Sequence, residues 1–170
     1  IIGNGVVVNP DVLQGELSML SARGIDTSRL YVSERAHVIM PYHILLDNLE
    51  EEARGSGAIG TTGQGVGPAY MDKTGRMGIR VGDLLDSSTL EAKLRPTLEF
   101  KNALITKIYE KDPLSMEDML SKCKEWAEWL KPHVQSTEKL IQDILAGNQR
   151  ILLEGAQGTL LDLDHGSYPY

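Results

Sequence analysis

The spacing of apolar positions changes several times along the chain. Ile1 to Val8 ("IIGNGVVV") is rich in β-branched residues and reads as a buried strand interrupted by a Gly-Asn-Gly bend. Asn9-Pro10-Asp11 then spells a helix start, with Asn as the cap, Pro at the first helical position and an acid in the first turn. Val12, Leu13, Leu17 and Leu20 recur on one helical face, and Gly24 closes the element. Arg29 to Ser33 reads as a second strand. Tyr42 to Arg54 reads as a helix, with Ile44, Leu45, Leu49 and Ala53 inward and Glu50, Glu51 and Glu52 outward. Strands alternating with helices predict an α/β fold with a mainly parallel sheet covered on its faces.

After a glycine-rich run the helical period takes over. Leu90 to Lys111, Ser115 to Leu130 and Val134 to Ala146 read as three successive helices. Pro96 stands where it would kink or split the first, Pro113 and Pro132 separate the others, and Gly147-Asn148 ends the last. "RILLEGAQG" then returns as a short apolar strand running into a glycine turn. The expected organisation is one α/β domain over residues 1–170 with a helical insertion at about 88–147. There is no internal repeat.

Composition narrows the function classes. A chain of 170 residues can bury a proper core. Its net charge of −7 argues against nucleic acid as the main partner. No apolar run is long enough to span a bilayer. The single cysteine, Cys123, cannot form an internal disulfide, reads as a structural helix residue and points to a reducing compartment. The chain has no initiator Met and opens inside an apolar strand, so it reads as an internal piece of a longer polypeptide.

The chemistry concentrates in "GAIGTTGQGVGPAYMDKTGRMGIRVGDLL", Gly57 to Leu85. Thr61 and Thr62 offer hydroxyls, and the N–H groups of a glycine-rich backbone can form an anion-binding nest. The run fits neither the phosphate-loop pattern nor G-x-G-x-x-G, and a tight turn or linker remains open. Lys73, Arg76 and Arg80 follow at spacings of three and four, so on a continuous helix they would share one face. Guanidinium groups pair phosphate oxygens through a planar fork. A solvated basic face paired with Asp72 and Asp83 accounts for the same charges.

In "LLEGAQGTLLDLDHG" a strand would end at Glu154, where ligands of α/β sheets sit, and Gln157 could hydrogen-bond an amide-like ring. An ordinary turn with a surface glutamine is the alternative. Asp162, Asp164 and His165 read as residues that bond their own turn rather than a metal. His37 and His43 read as core-edge or turn histidines that could line a cleft. His133 reads as a solvent residue, and Trp126 and Trp129 as core.

Four stretches resemble segments of the adenylosuccinate synthetase family, in the family's order: "IIGNGVVVNP", "SERAHVIMPYH", "AIGTTGQGVGPAYMDKTGRMGIRVGDL" and "LLEGAQGTLLDLDHGSYPY". The third resembles a signature of the form G-x-G-P-x-Y-x-x-K-x-x-R, met at Gly65, Gly67, Pro68, Tyr70, Lys73 and Arg76. The resemblance covers essentially the whole chain.

It implies a fold related to the phosphate-loop nucleotide-binding proteins and a cytoplasmic, homodimeric ligase of purine (AMP) biosynthesis. GTP would phosphorylate the 6-oxygen of IMP, and the amine of L-aspartate would displace that phosphate to give adenylosuccinate. Mg2+ would bridge the phosphates. By position, Thr62 resembles the threonine that binds the IMP phosphate, and Arg76 the arginine offered to the partner subunit's IMP site. Gln157 resembles the glutamine beside the IMP base. Lys73 occupies the signature lysine, with its role left open.

The family's "GDEGKGK"-type phosphate loop and the aspartate and histidine that go with it do not occur in this sequence. The resemblance therefore assigns no catalytic residue or metal ligand here, and the piece alone is expected to be inactive. Gln64 stands where many bacterial members carry Arg or Lys, and Ser167 where Thr is usual. A non-catalytic purine-nucleotide-binding or regulatory module is the alternative reading, and a ligase joining other substrates a further one.

Overall fold

Short parallel pairings organise the chain. The computed structural model describes residues 1–155, 157–162 and 164–167. Ile2 bridges Val32, and the backbone then bends at Asn4-Gly5 into β1 (Val7–Val8). The sequence's interrupted strand is therefore real, and its two halves serve different neighbours. β1 lies parallel to β3 (His37–Val38), while β2 (Val32–Ser33) lies parallel to β4 (Val134–Gln135). Ile79 to Val81 runs along the far side of β3, bridging His37 through Arg80. The backbone bond from the Val38 N–H to Ile79 O is 2.8 Å, and that from Val81 N–H to Ala36 O is 2.9 Å.

The helices follow from local signals. α1 (Pro10–Ala22) starts at Asn9, whose Oδ1 accepts the N–H of Asp11 at 3.0 Å. α2 spans Pro41–Arg54 and α3 Val66–Thr74. α4 (Ser87–Lys107) is capped by Asp86, and α5 (Met116–Leu130) by Ser115. α6 spans Thr137–Ala146. Pro96 does not split α4. Leu90, Leu94, Leu98 and Ile105 form its buried stripe, and Pro96 lies off that stripe on a cavity wall. Burial of the stripe outweighs the one hydrogen bond that proline removes.

The core joins Val8, Val32, Val38, Met40 and Tyr42 to Ile79, Val81, Leu84, the α4 leucines, Met119, Cys123, Trp126 and Leu130. Cys123 is buried, as expected of a structural thiol, and burial pushes its pKa up to about 12. Trp126 is also core, and its Nε1–H donates to Asp11 Oδ1 at 2.8 Å, tying α5 to α1. Trp129 packs at the core's edge. Among the described residues no helix is long and apolar enough to cross a membrane.

Several expectations need correction. The buried face of α2 is Tyr42, His43, Leu46, Asp47 and Leu49, whereas Ala53 is exposed and Ile44 and Leu45 are half-buried. His43 and Asp47 enter that face because each finds hydrogen-bond partners there. Val134–Gln135 is strand β4 rather than the start of a helix, because β2 offers it a free edge. On α1, Val12 is 48% exposed, so only part of its apolar face is covered.

Residues 150–155 form no strand: Leu152 and Leu153 are 91% and 86% exposed, with no neighbouring strand among the described residues. Ala156 of the expected turn, and Leu163 and Tyr168-Pro169-Tyr170 in the segment after it, lie outside the described residues. His133 is half-buried, with Nδ1 3.2 Å from Leu30 O, rather than a solvent residue.

Leu94 is 0% exposed at the centre of the α4 stripe. Leu94→Ala is expected to lower unfolding free energy by about 2–5 kcal/mol, read from urea denaturation.

Candidate functional site

The glycine run forms a loop between α2 and α3 whose shape is set by two acids of α2. Glu51 accepts three successive backbone N–H groups: Ile59 (3.2 Å) on Oε1, then Gly60 (2.8 Å) and Thr61 (3.3 Å) on Oε2. One helical turn earlier, Asp47 Oδ1 accepts the Thr61 hydroxyl at 3.1 Å, and Oδ2 accepts the Gly65 N–H at 2.8 Å. The nest that the glycines foretold thus exists, and a carboxylate of the protein fills it. These bonds, Gly60's first, hold the Glu51 carboxyl below its ordinary value against the opposing effect of burial.

Gly65 must be glycine on two counts. Its φ is +75°, and a Cβ there would come within 2.8 Å of the Ile44 backbone nitrogen. Thr62 lies exposed at the loop's outer side. Among the described residues, neither its hydroxyl, nor its N–H, nor the N–H of Gln64 donates to a protein acceptor.

At the other end of α3 the three cations do not share a helical face. Lys73 sits in the last turn, Arg76 in a left-handed turn, and Arg80 on the extended segment beside β3. The helix ends in a Schellman arrangement: Arg76 N–H reaches Lys73 O at 3.3 Å and Met77 N–H reaches Asp72 O at 2.9 Å. The residue at its left-handed position is Arg76, with φ +61°, while Gly75 beside it has an ordinary negative φ. A non-glycine residue there costs roughly 1–2 kcal/mol.

The turn nevertheless gathers the cations. His37, Lys73, Arg76, Arg80, Lys93 and Phe100 are among the residues lining one cavity of about 1010 Å³. Lys93 pairs with Asp83, and Lys73 Nζ donates to Gly5 O at 3.1 Å beside the Tyr70 hydroxyl, which donates to the same carbonyl at 2.8 Å. Lys73 thereby fastens α3 to the bend before β1. Arg76 and Arg80 are exposed and make no ion pair among the described residues. His37 is buried in the wall with Nδ1 unpartnered. Burial, then the charges of Arg80 and Lys73, push its pKa down.

A buried cluster sets both ends. Asp72 of α3 receives Lys101 of α4 on Oδ1 and His43 Nε2 of α2 on Oδ2, the latter at 2.9 Å. His43 Nδ1 accepts the Met40 N–H at 3.0 Å, which assigns the ring proton to Nε2 and makes His43 a neutral donor. Burial pushes the His43 pKa down, against the pull of Asp72. Burial also opposes charge on Asp72, but hydrogen bonds from His43 and Lys101 outweigh it and hold the carboxyl below its ordinary value.

Gln157 is exposed and belongs to neither the loop nor the cavity. Asp162 Oδ1 accepts the N–H groups of Asp164 and His165, closing its own turn. Among the described residues no group of three His, Cys, Asp or Glu could hold a metal ion. The acids nearest the loop are already committed to its N–H groups, so the implied Mg2+ finds no ligand set here. Sequence reading missed Asp47, Glu51, Lys101 and Lys93. An acid at i and i+4 ahead of a glycine loop was the available signal for the first two.

Residues 1–170 match the family model for adenylosuccinate synthetase. The adenylosuccinate synthetase of Halothermothrix orenii is 52% identical over 170 residues, covering 100% of this chain and 40% of the relative. That of Lactobacillus gasseri is 54% identical with the same coverage. The solved structure of fully ligated adenylosuccinate synthetase from Plasmodium falciparum aligns with a TM-score of 0.85 at 28% identity, covering 99% of this chain and 39% of that one. The chain thus spans about 40% of the length of the curated relatives it matches.

The histidines generate a pH prediction. The folded-state values of His43 and His37 lie below the ordinary 6.5, so the unfolded chain takes up protons first as pH falls. Their contribution to stability is therefore full above about pH 6.5 and declines below it. Denaturation midpoints measured across this range should fall with acid, and His43→Gln should flatten that slope.

Proposed function

The chain belongs to the adenylosuccinate synthetase family, and we propose that it carries part of the IMP site and of the homodimer contact of a purine-biosynthesis ligase. That ligase joins IMP and L-aspartate with hydrolysis of GTP. In this reading the outward donors of Thr62 meet the IMP phosphate, and the Gln157 carboxamide lies beside the base. Arg76 extends its guanidinium to the phosphate bound by a partner subunit. Lys73 braces α3 through Gly5 rather than touching substrate. The 6-oxygen of IMP takes the phosphoryl group of GTP and the aspartate amine then displaces it, with catalytic groups that this chain does not supply.

The observation that carries the reading is the placement of Thr62 and Arg76 at opposite ends of α3. A nine-residue helix is about 13 Å long. One phosphate held at Thr62 is then poorly reached by Arg76 of the same chain, and a second copy of the chain can supply it. The strained conformation of Arg76 supports a functional role, since a glycine at that left-handed position would avoid the strain.

Two substitutions test this. Arg76→Gly should raise stability by about 1 kcal/mol by relieving the left-handed turn. It should also weaken IMP binding in titration calorimetry by about tenfold or more, the scale of a charge-assisted hydrogen bond. Mixing Arg76→Gly and Thr62→Val subunits should restore a fraction of tight sites. Unchanged IMP affinity in both variants would overturn the reading. The 170-residue chain alone is expected to form no adenylosuccinate from IMP, aspartate and GTP, and product detected by chromatography would contradict that.

A further inference from the structure

Asp47 and Glu51 lie one helical turn apart on the same side of α2, and both face the glycine loop. Between them they accept the N–H groups of Ile59, Gly60, Thr61 and Gly65 and the hydroxyl of Thr61. These bonds grip the loop before and after Thr62. The Gly63 N–H turns inward to Thr61 Oγ1 at 3.4 Å, and Asn48 Nδ2 reaches Gly63 O at 3.5 Å. Between residues 59 and 65, the donors left without a protein acceptor among the described residues are the N–H and hydroxyl of Thr62 and the N–H of Gln64.

We propose that Asp47 and Glu51 are positioning residues of the phosphate-binding loop: they neutralise its inner donors and so select which donors an incoming phosphate meets. The inference rests on the reading of Thr62 as a phosphate ligand and adds two residues which that reading does not use. A loop of this composition could present any of several N–H groups to an anion. With the inner ones held on carboxylates, the phosphate is confined to the outer rim at Thr62. The acids act on the backbone and do not touch the ligand. Removal of the Glu51 charge should therefore blur the loop without melting the fold, because Glu51 lies outside the hydrophobic core.

The test compares Glu51→Gln, Thr61→Val and Thr62→Val in the protein, with IMP as the probe. Amide hydrogen exchange by NMR reads the loop, titration calorimetry reads IMP affinity, and thermal melting reads the fold. Thr61→Val removes the hydroxyl held by Asp47 and leaves both acids in place, so it does not depend on Glu51→Gln being well behaved.

Glu51→Gln is expected to speed exchange at Ile59, Gly60 and Thr61 by about tenfold. It should also weaken IMP binding several-fold with the melting temperature unchanged. Thr61→Val should weaken IMP binding in the same way. Thr62→Val should weaken IMP binding while leaving the protection of residues 59–61 intact.

If Thr62→Val weakens binding but Glu51→Gln and Thr61→Val do not, the positioning role is overturned and the site reading survives. If Thr62→Val leaves affinity unchanged, the site reading fails and the positioning role falls with it. Loss of affinity only in step with a lowered melting temperature would assign the acids a purely structural role and overturn the proposal.

Discussion

The buried carboxylate of Asp72 is the constraint on which the candidate site depends. A charge taken out of water is tolerated only when paired and hydrogen-bonded, and removing one partner of such a pair costs about 3–5 kcal/mol. Asp72 meets this condition with one residue from α2 and one from α4, so three helices are fixed by a single side chain. Its backbone carbonyl is equally committed, accepting the N–H groups of Met77 and Gly78. The rotation of α3 and the way it ends are therefore determined together. Once Asp72 faces inward, Lys73 must point towards Gly5 and the chain must turn at Arg76. The positions of the cations are consequences of a buried acid, not of attraction to a ligand.

This arrangement also explains which parts of the site were legible in the sequence. Asn9-Pro10 was readable because a cap needs nothing beyond its own first turn. The anion-binding character of the glycine run was readable because it is a property of backbone N–H groups. The identity of the anion that fills the inner part was not, since Glu51 looks like the middle of a solvated acidic run. Lys73, Arg76 and Arg80 were singled out by charge, and they do meet around one cavity. The helical face expected to unite them does not exist, because a Schellman turn intervenes and Arg76 adopts a conformation that no spacing rule anticipates.

The fold shows the same division. The alternation of strands and helices was legible, and parallel pairing is what forms. Elements that need a distant partner were not. Val134–Gln135 becomes a strand only because β2 lies beside it, and residues 150–155, apolar and strand-like in composition, form no strand and have no neighbouring strand among the described residues. Asp47 was missed for the complementary reason, and His43 was read only as a core-edge or turn histidine. Neither role is fixed until its partners, Asp72 for His43 and the loop donors for Asp47, are known.

The charges around Thr62 argue that the loop is electrostatically incomplete within one chain. Its nearest acids, Asp47 and Glu51, lie directly behind it, and Gln64 contributes no charge. Two like unit charges about 6 Å apart repel by roughly 3 kcal/mol at an effective dielectric of 20. A phosphate dianion brought to the outer rim meets that repulsion from two carboxylates, partly offset because their lone pairs are engaged by N–H dipoles and Arg54 pairs with Glu51 at 3.5 Å. Neutral donors from Thr62, each contributing about 0.5–1.5 kcal/mol, do not balance it alone. Arg76 and Arg80, by contrast, stand at or beyond the far end of α3. The acid pair that shapes the loop is therefore also what opposes added negative charge at its outer rim.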